Sequence, residues 1–222
     1  MMTKGLHGLN GSIQDICVIG AGPVGIALAL ELSRRGRSVL LLESGDIRAT
    51  TDAQRLSDAD ILDPKVHVAM DLAVHRGLGG ASNLWGGRCV SLEPIDFETR
   101  AGIPHSGWPI GMQDLAAWLP QACAYIGCGA PVFESKLPGT TFSDPDFRFE
   151  RIERWSRQPR FNVMHAQALR ENRAIDLRVC ATVTSLAFAA DGRVADILAR
   201  GADGSSASFK ARAIVLAAGG LE

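Results

Sequence analysis

The chain has 222 residues, 46% hydrophobic and 21% charged, with 23 basic against 24 acidic residues and a net charge of −1. That is the composition of a globular chain long enough to bury a core. The near-neutral balance leaves no electrostatic footprint for nucleic acid or an anionic membrane surface. Residues 1–14 contain no apolar stretch of the length a secretory signal needs, so a cytoplasmic location is expected. From Asp15 to Gly20 the sequence DICVIG is a short apolar run entering glycine, the pattern of a strand buried on both faces. GAGPVG follows, then the apolar run Ile26 to Leu30, far short of the ~20 residues that span a bilayer. This helix closes at SRRG, where Gly36 suits a helix C′ position and Arg34 and Arg35 suit the negative end of the dipole. A second buried strand, Ser38 to Glu43, completes a βαβ unit, and such units build parallel sheets.

Residues 44–75 are polar and poorly periodic. A second glycine cluster, RGLGGASNLWGGR, places five glycines between Arg76 and Arg88. Met112, Leu115, Ala116, Leu119, Cys123 and Ile126 lie at helical spacing, limited or kinked by Pro120. From Pro131 to Pro159 the chain is rich in turn signals, including Pro138-Gly139 and Asp144-Pro145. A helix is expected over about Asn162 to Asn172. Three strands are expected after it, Arg178–Phe188, Arg193–Arg200 and Ser206–Lys210, joined by Asp191-Gly192 and Asp203-Gly204 as a meander. Ala213 to Ala218 is once more a buried strand, entering Gly219-Gly220. The expected organisation is a core over 13–90 and 160–222 with 91–159 as an inserted helical and loop segment.

Gly20-x-Gly22-x-x-Gly25 is a weak signal alone, but here it lies between a strand and a helix. Gly20 permits the tight turn, Gly22 lets backbone amides approach a pyrophosphate, and Gly25 lets helix and strand pack closely. Glu43, closing the second strand, can accept hydrogen bonds from a ribose diol and would repel a 2′-phosphate, which argues against NADP. The meander followed by AIVLAAGG selects FAD over NAD, because nicotinamide dehydrogenases continue with further βα units. In the second cluster Ser82, Asn83 and backbone amides could hydrogen-bond a flavin, with Trp85 packing beside the ring. Leu78, Leu84 and Trp85 argue against a freely mobile loop.

GAGPVGIALALELSRRGRSVLLLESG, RGLGGASNLWGGR, GWPIGMQDL and IVLAAGGLE together resemble the N-terminal part of a GMC (glucose–methanol–choline) FAD-dependent oxidoreductase, most of all the bacterial members that oxidise sugars and alcohols. Pro120 departs from the family's usual polar or acidic residue in the helix after WPI. The resemblance implies a Rossmann-like α/β FAD-binding domain, a parallel sheet with a βαβ unit plus a three-stranded antiparallel meander, and oxidation of a CH–OH group with hydride passing to flavin N5. It implies cofactor contacts from Gly20, Gly22, Pro23, Val24, Gly25, Glu43 and Ser44, and from Arg76, Gly79, Gly80, Ser82, Asn83, Leu84, Trp85 and Gly86. CATVTSLAFAADGRVADILA resembles the family strand that lies against the adenine, which adds Val183, and the last strand adds Ala218 and Gly219.

Three good parallel strands are too few for a doubly wound sheet, and family members are about twice as long, so a fragment is expected. The general base is then expected downstream of Glu222, leaving no catalytic residue assigned within the chain. The expected partners are a small alcohol or sugar and an unidentified electron acceptor. Competing readings are an NAD(P)H-linked reductase, an amine oxidase and a non-catalytic nucleotide-binding fragment or subunit. The reductase would carry a redox CxxC or a second GxGxxG, and neither is present. His75 reads as a partly buried polar residue before the glycine loop, although some family relatives link FAD through a histidine in this region. The spacing of Cys123 and Cys128 suits neither zinc nor a redox CxxC, so no metal is expected. Arg151, Arg154, Arg157 and Arg160 read as a solvated face paired with glutamates.

Overall fold

The computed structural model describes residues 2–135, 139 and 150–221. The turn signals at Pro138 and Asp144-Pro145, and Glu222, lie outside the described residues. The chain divides into two compact units, one formed by Met1–Trp85 with Arg160–Glu222 and the other by Gly86–Pro159. The strands in chain order are β1 (Met2–Lys4), β2 (Ile13–Ile19), β3 (Val39–Leu42), β4 (Arg88–Cys89), β5 (Arg154–Trp155), β6 (Ile175–Val179), β7 (Ala181–Phe188), β8 (Val194–Gly201) and β9 (Ser206–Leu216).

The first unit is built on a 7-stranded sheet in the order β1-β6-β3-β2-β9-β8-β7. All pairings from β1 through β9 are parallel, and β9-β8-β7 is an antiparallel meander. Every side chain of β3 (VLLL) is buried. Cys17, Ile19, Leu40 and Leu42 join the meander's Ile197, Ala199 and Phe209 in one core cluster. Because side chains alternate along a strand, Val18, Val39 and Leu41 face the other way. On that side packs α1 (Pro23–Arg34), which buries Gly25, Ile26, Ala29 and Leu30. Helix α1 ends as its sequence directs, with Gly36 at φ 75° donating its N–H to Ser33 O.

The fold is the expected Rossmann-like α/β sheet with its meander, but its strand inventory is larger. The run Arg178–Phe188 is not one strand. Cys180, at φ 57°, breaks it into β6, a parallel member beside β3, and β7, the outer strand of the meander. Ser206–Lys210 and Ala213–Ala218 are instead one strand. The first half of β9 pairs with β8 and the second half with β2. With β1 added, five strands run parallel rather than three. The helix expected over 162–172 is also interrupted, running as Phe161–Met164 and Ala166–Glu171 on either side of His165.

In the second unit β4 and β5 form a short antiparallel pair. The expected helix around Pro120 is two helices, Met112–Ala116 and Leu119–Ile126, with Pro120 in the first turn of the second, where its missing N–H costs nothing. Arg151 pairs with Glu93 and Glu134, and Arg154 Nε donates to Cys128 O at 2.6 Å. No helix among the described residues is long and apolar enough to cross a membrane. No group of three or more His, Cys, Asp or Glu among them is placed to hold a metal ion.

Candidate functional site

In the first unit, the carboxyl ends of β2, β3 and β9 and the first turn of α1 open into a cleft of about 570 Å³. Ligands in open α/β sheets bind outside these strand ends. Gly22 caps α1 in extended backbone (φ −76°, ψ −173°), Pro23 occupies the first turn, and that turn carries no acidic residue of its own. The unpaired N–H groups and the positive end of the dipole therefore face the cleft, the arrangement that receives phosphate. A Cβ added to Gly22 would meet nothing nearer than Gly80 Cα at 4.0 Å, so the space beside it is left for a ligand.

The second glycine cluster is docked on the first. Gly79 N donates to Ala21 O at 2.9 Å, and a Cβ on Gly80 would stand 2.9 Å from Gly22 Cα. The segment is more regular than its composition suggests, since Gly80–Asn83 form one 3₁₀ turn. Its polar side chains hold the loop itself. Ser82 is buried, donates to Gly79 O at 2.6 Å and accepts from Phe161 N at 3.1 Å. Asn83 Nδ2 donates to Leu78 O and Gly80 O. Trp85 packs edge-on against Phe161, ring centres 5.9 Å apart.

Glu43 lies at the end of β3 and is 6% exposed. Its Oε2 accepts from Ala21 N at 3.0 Å and its Oε1 from Gly45 N at 2.9 Å. Burial pushes the carboxyl above the usual carboxylate range, against the opposing pull of those amides and of the Arg76 charge. Ser44 Oγ hydrogen-bonds Thr182 Oγ1 at 2.8 Å, joining the end of β3 to the start of β7. Arg76 reaches into the same wall, with Nη1 donating to Ser44 Oγ at 3.2 Å and Nη2 to Leu56 O at 3.2 Å. Its Nε donates to Ser57 Oγ. Burial lowers the pKa of His75, which lines the cleft beside it.

Of the residues singled out from sequence, the cleft is lined by Gly20, Gly22, Pro23, Val24, Glu43, Ser44, Arg76, Gly80, Val183, Ala218 and Gly219. Gly25, Gly79, Ser82, Asn83, Leu84 and Trp85 stand outside its lining, and Gly86 belongs to the second unit. Sequence reasoning missed Ile19, Leu42, Ala73, Val74, Ala81, Ala181, Thr182, Leu216, Ala217, Gly220 and Leu221. Strand-end position could have found Ile19, Leu42, Leu216 and Ala217, which flank the glycine turns. Ala73, Val74 and Thr182 carry no sequence signal of their own.

Residues 15–221 match the family described as FAD dependent oxidoreductase (DAO). The chain belongs to that family. FAD is therefore its cofactor, and the cleft suits it, with a helix N-terminus and a buried acid among its walls. The solved structure of a pyridoxine 4-oxidase from Mesorbium loti shares the fold, with 22% identity and a TM-score of 0.53 over 93% of this chain. The chain spans about half, 49%, of that structure's length. The myxobacterial chondrochloren halogenase CndH, a variant of FAD-dependent halogenases, aligns at 21% identity and TM-score 0.43 over 94% of this chain and 38% of its own. No curated protein sequence matches the chain.

Proposed function

We propose that this FAD-dependent oxidoreductase is of the GMC type and oxidises the CH–OH group of an alcohol or sugar. The observation that carries the reading is the docking of the RGLGG segment on the GAGPVG turn through Gly79 N and Ala21 O. It unites two of the motifs that carry the GMC resemblance in one site. When bound, FAD supplies the acceptor for the hydride that leaves the alcohol carbon.

The residues of this chain bind and orient. The first turn of α1 and the open face of Gly22 receive the pyrophosphate. Glu43 and Ser44 stand at the adenosine ribose, Val183 at the adenine, and the backbone of Ala218-Gly219 and Gly80 beside the remainder. Ser82 and Asn83 act one step back, fixing the shape of the loop that faces the cofactor. Arg76 places a fixed positive charge on the cleft wall, which favours an anionic ligand.

The test is to purify the protein as encoded in full, release its cofactor by denaturation, and identify it by chromatography. The holoprotein is then assayed with a panel of primary and secondary alcohols and sugars and a dye acceptor. Dye reduction by a sugar or alcohol is the expected result. Bleaching of the flavin by NADH or NADPH, with no response to any alcohol, would replace this reading with a nicotinamide-linked reductase.

A further inference from the structure

Along the chain Cys123 and Cys128 lack the spacing of a redox pair, yet the fold of the second unit gathers them with Cys89. The helix Leu119–Ile126 ends on Gly127, at φ 73°. Gly127 N donates to Ala124 O at 3.2 Å, and Cys128 N to Cys123 O at 3.1 Å. These two bonds define the glycine stop in which the side chains at either end of the outer bond ordinarily pack together. Here both are thiols. Cys89 arrives from β4, where it stands opposite Arg154 of β5. Arg154 Nε in turn donates to Cys128 O at 2.6 Å. All three cysteines are buried and free. Burial pushes the Cys123 thiol up to about 11, the Cys128 thiol adds to the rise, and the Arg154 charge opposes it. Burial raises Cys89 as well, again with Cys128 next in order. Cys128 is therefore the neighbour the other two share.

We propose that Cys89, Cys123 and Cys128 form an oxidation site for hydroperoxide, in which Cys128 is the common partner. It joins Cys123 in a disulfide, and Cys89 when Cys123 is removed. A disulfide needs Cα atoms about 4.4–6.8 Å apart. A turn closed by a backbone bond between its end residues brings their Cα atoms into that range. Burial selects the oxidant, because hydrogen peroxide is close to water in size and a glutathione-sized disulfide is not. A thiolate attacks one peroxide oxygen, the O–O bond breaks, and the sulfur becomes a sulfenic acid as the other oxygen takes a proton and leaves as water. The second thiol attacks that sulfur, the S–O bond breaks, and a second water leaves. Two thiols and one peroxide thus become one disulfide and two waters. The reaction should quicken as pH rises, since the thiolate is the nucleophile.

The reduced protein, as encoded in full, is treated with hydrogen peroxide at pH 8.5, alkylated, digested with trypsin and analysed by mass spectrometry. Cys123 and Cys128 share the fragment 101–136, and Cys89 lies in 89–100. The expected product is fragment 101–136 lacking two hydrogens, closed to the alkylating reagent and reopened by a phosphine. In Cys123→Ala, fragments 89–100 and 101–136 should instead be joined through Cys89 and Cys128. In Cys89→Ala the link within 101–136 should persist. In Cys128→Ala the yield of disulfide between Cys89 and Cys123 should be at least tenfold below the wild-type yield.

Full alkylation of all three thiols in the peroxide-treated wild type overturns the proposal. So does their conversion to sulfinic acid with no disulfide formed. A link from Cys128 to Cys17 or Cys180 in Cys123→Ala overturns it too, as does a Cys89–Cys123 link formed at the wild-type yield in Cys128→Ala. Should Cys128→Ala prove insoluble, the wild-type and Cys123→Ala maps decide the matter between them.

Discussion

Replacing Gly22 by valine should leave the fold standing while emptying the cleft of FAD. The backbone there is extended (φ −76°, ψ −173°), a conformation any L-residue adopts. The new Cβ meets only Gly80 Cα at 4.0 Å, an ordinary contact. Losing glycine at an N-cap costs about 1 kcal/mol, and the reduced freedom of the unfolded chain returns about 0.4–1 kcal/mol. Net stability should therefore move by no more than about 1 kcal/mol, or about 2–4 °C in Tm for a chain of this size. Binding is a different matter, because the isopropyl group occupies the space the pyrophosphate needs. Losing two hydrogen bonds to a charged acceptor, at about 1.5–3 kcal/mol each, removes about 3–6 kcal/mol. That corresponds to roughly 10²–10⁴ in Kd. Quenching of flavin fluorescence during titration measures the second effect, and thermal melting of the cofactor-free protein measures the first. A variant that retains stoichiometric flavin at the wild-type Kd would refute the placement of the pyrophosphate at Gly22.

Gly25→Ala should do the reverse, since its Cβ would stand 1.9 Å from Gly20 O. A loss of at least about 3 kcal/mol is expected, seen as a fall in Tm or as insoluble protein, where overpacking ordinarily costs 1–3. Ser82→Ala removes the buried hydroxyl that bridges Gly79 O and Phe161 N and should cost about 1–3 kcal/mol of stability in denaturant titration. Because burial lowers the folded-state pKa of His75, its unfolded form binds the proton more readily. Stability of the cofactor-free protein should thus fall as pH drops from the ordinary histidine value through the folded one. Melting curves across that window should show a smaller fall in His75→Asn. Glu43 carries the opposite sign. Its raised pKa means stability is lost as pH climbs from the ordinary carboxylate value through the folded one, and Glu43→Gln should flatten that limb of the melting profile.

Much of this arrangement was legible in the sequence because it rests on short-range rules. The buried runs, the glycine turn and the charges at the end of α1 each announce a local geometry, and the βαβ unit stands where they place it. What escaped was decided at longer range. Nothing in CATVTSLAF marks Cys180 as the point where one strand leaves the parallel sheet and another begins. That break exists because Cys180 N and Ala181 N are drawn to Gly45 O and Glu43 O. Nor does a sequence period reveal that Ser206–Leu216 serves two partners in succession. The cleft lining divides the same way. Gly22, Glu43 and Arg76 are visible through their chemistry, whereas Ala73, Val74 and Thr182 are there only because the fold brings them. Ser82 and Asn83 were recognisable as important polar residues, but sequence alone does not say which way a side chain turns.

The pairing of strands far apart in the chain sets a timetable for biosynthesis. β2 and β3 can associate early, but β3 gains its outer neighbour only when Ile175–Val179 has been made, and β2 gains its other only with Lys210–Leu216. β1 likewise waits for Leu177–Val179. At ribosomal speeds of about 5–20 residues per second, the early βαβ unit spends roughly 7–27 s with both sheet edges bare. An apolar strand such as VLLL, exposed for that long, is a template for pairing with another nascent chain. Yield of this protein should accordingly depend on holding chaperones and on slow translation temperature more than the stability of the finished sheet would suggest.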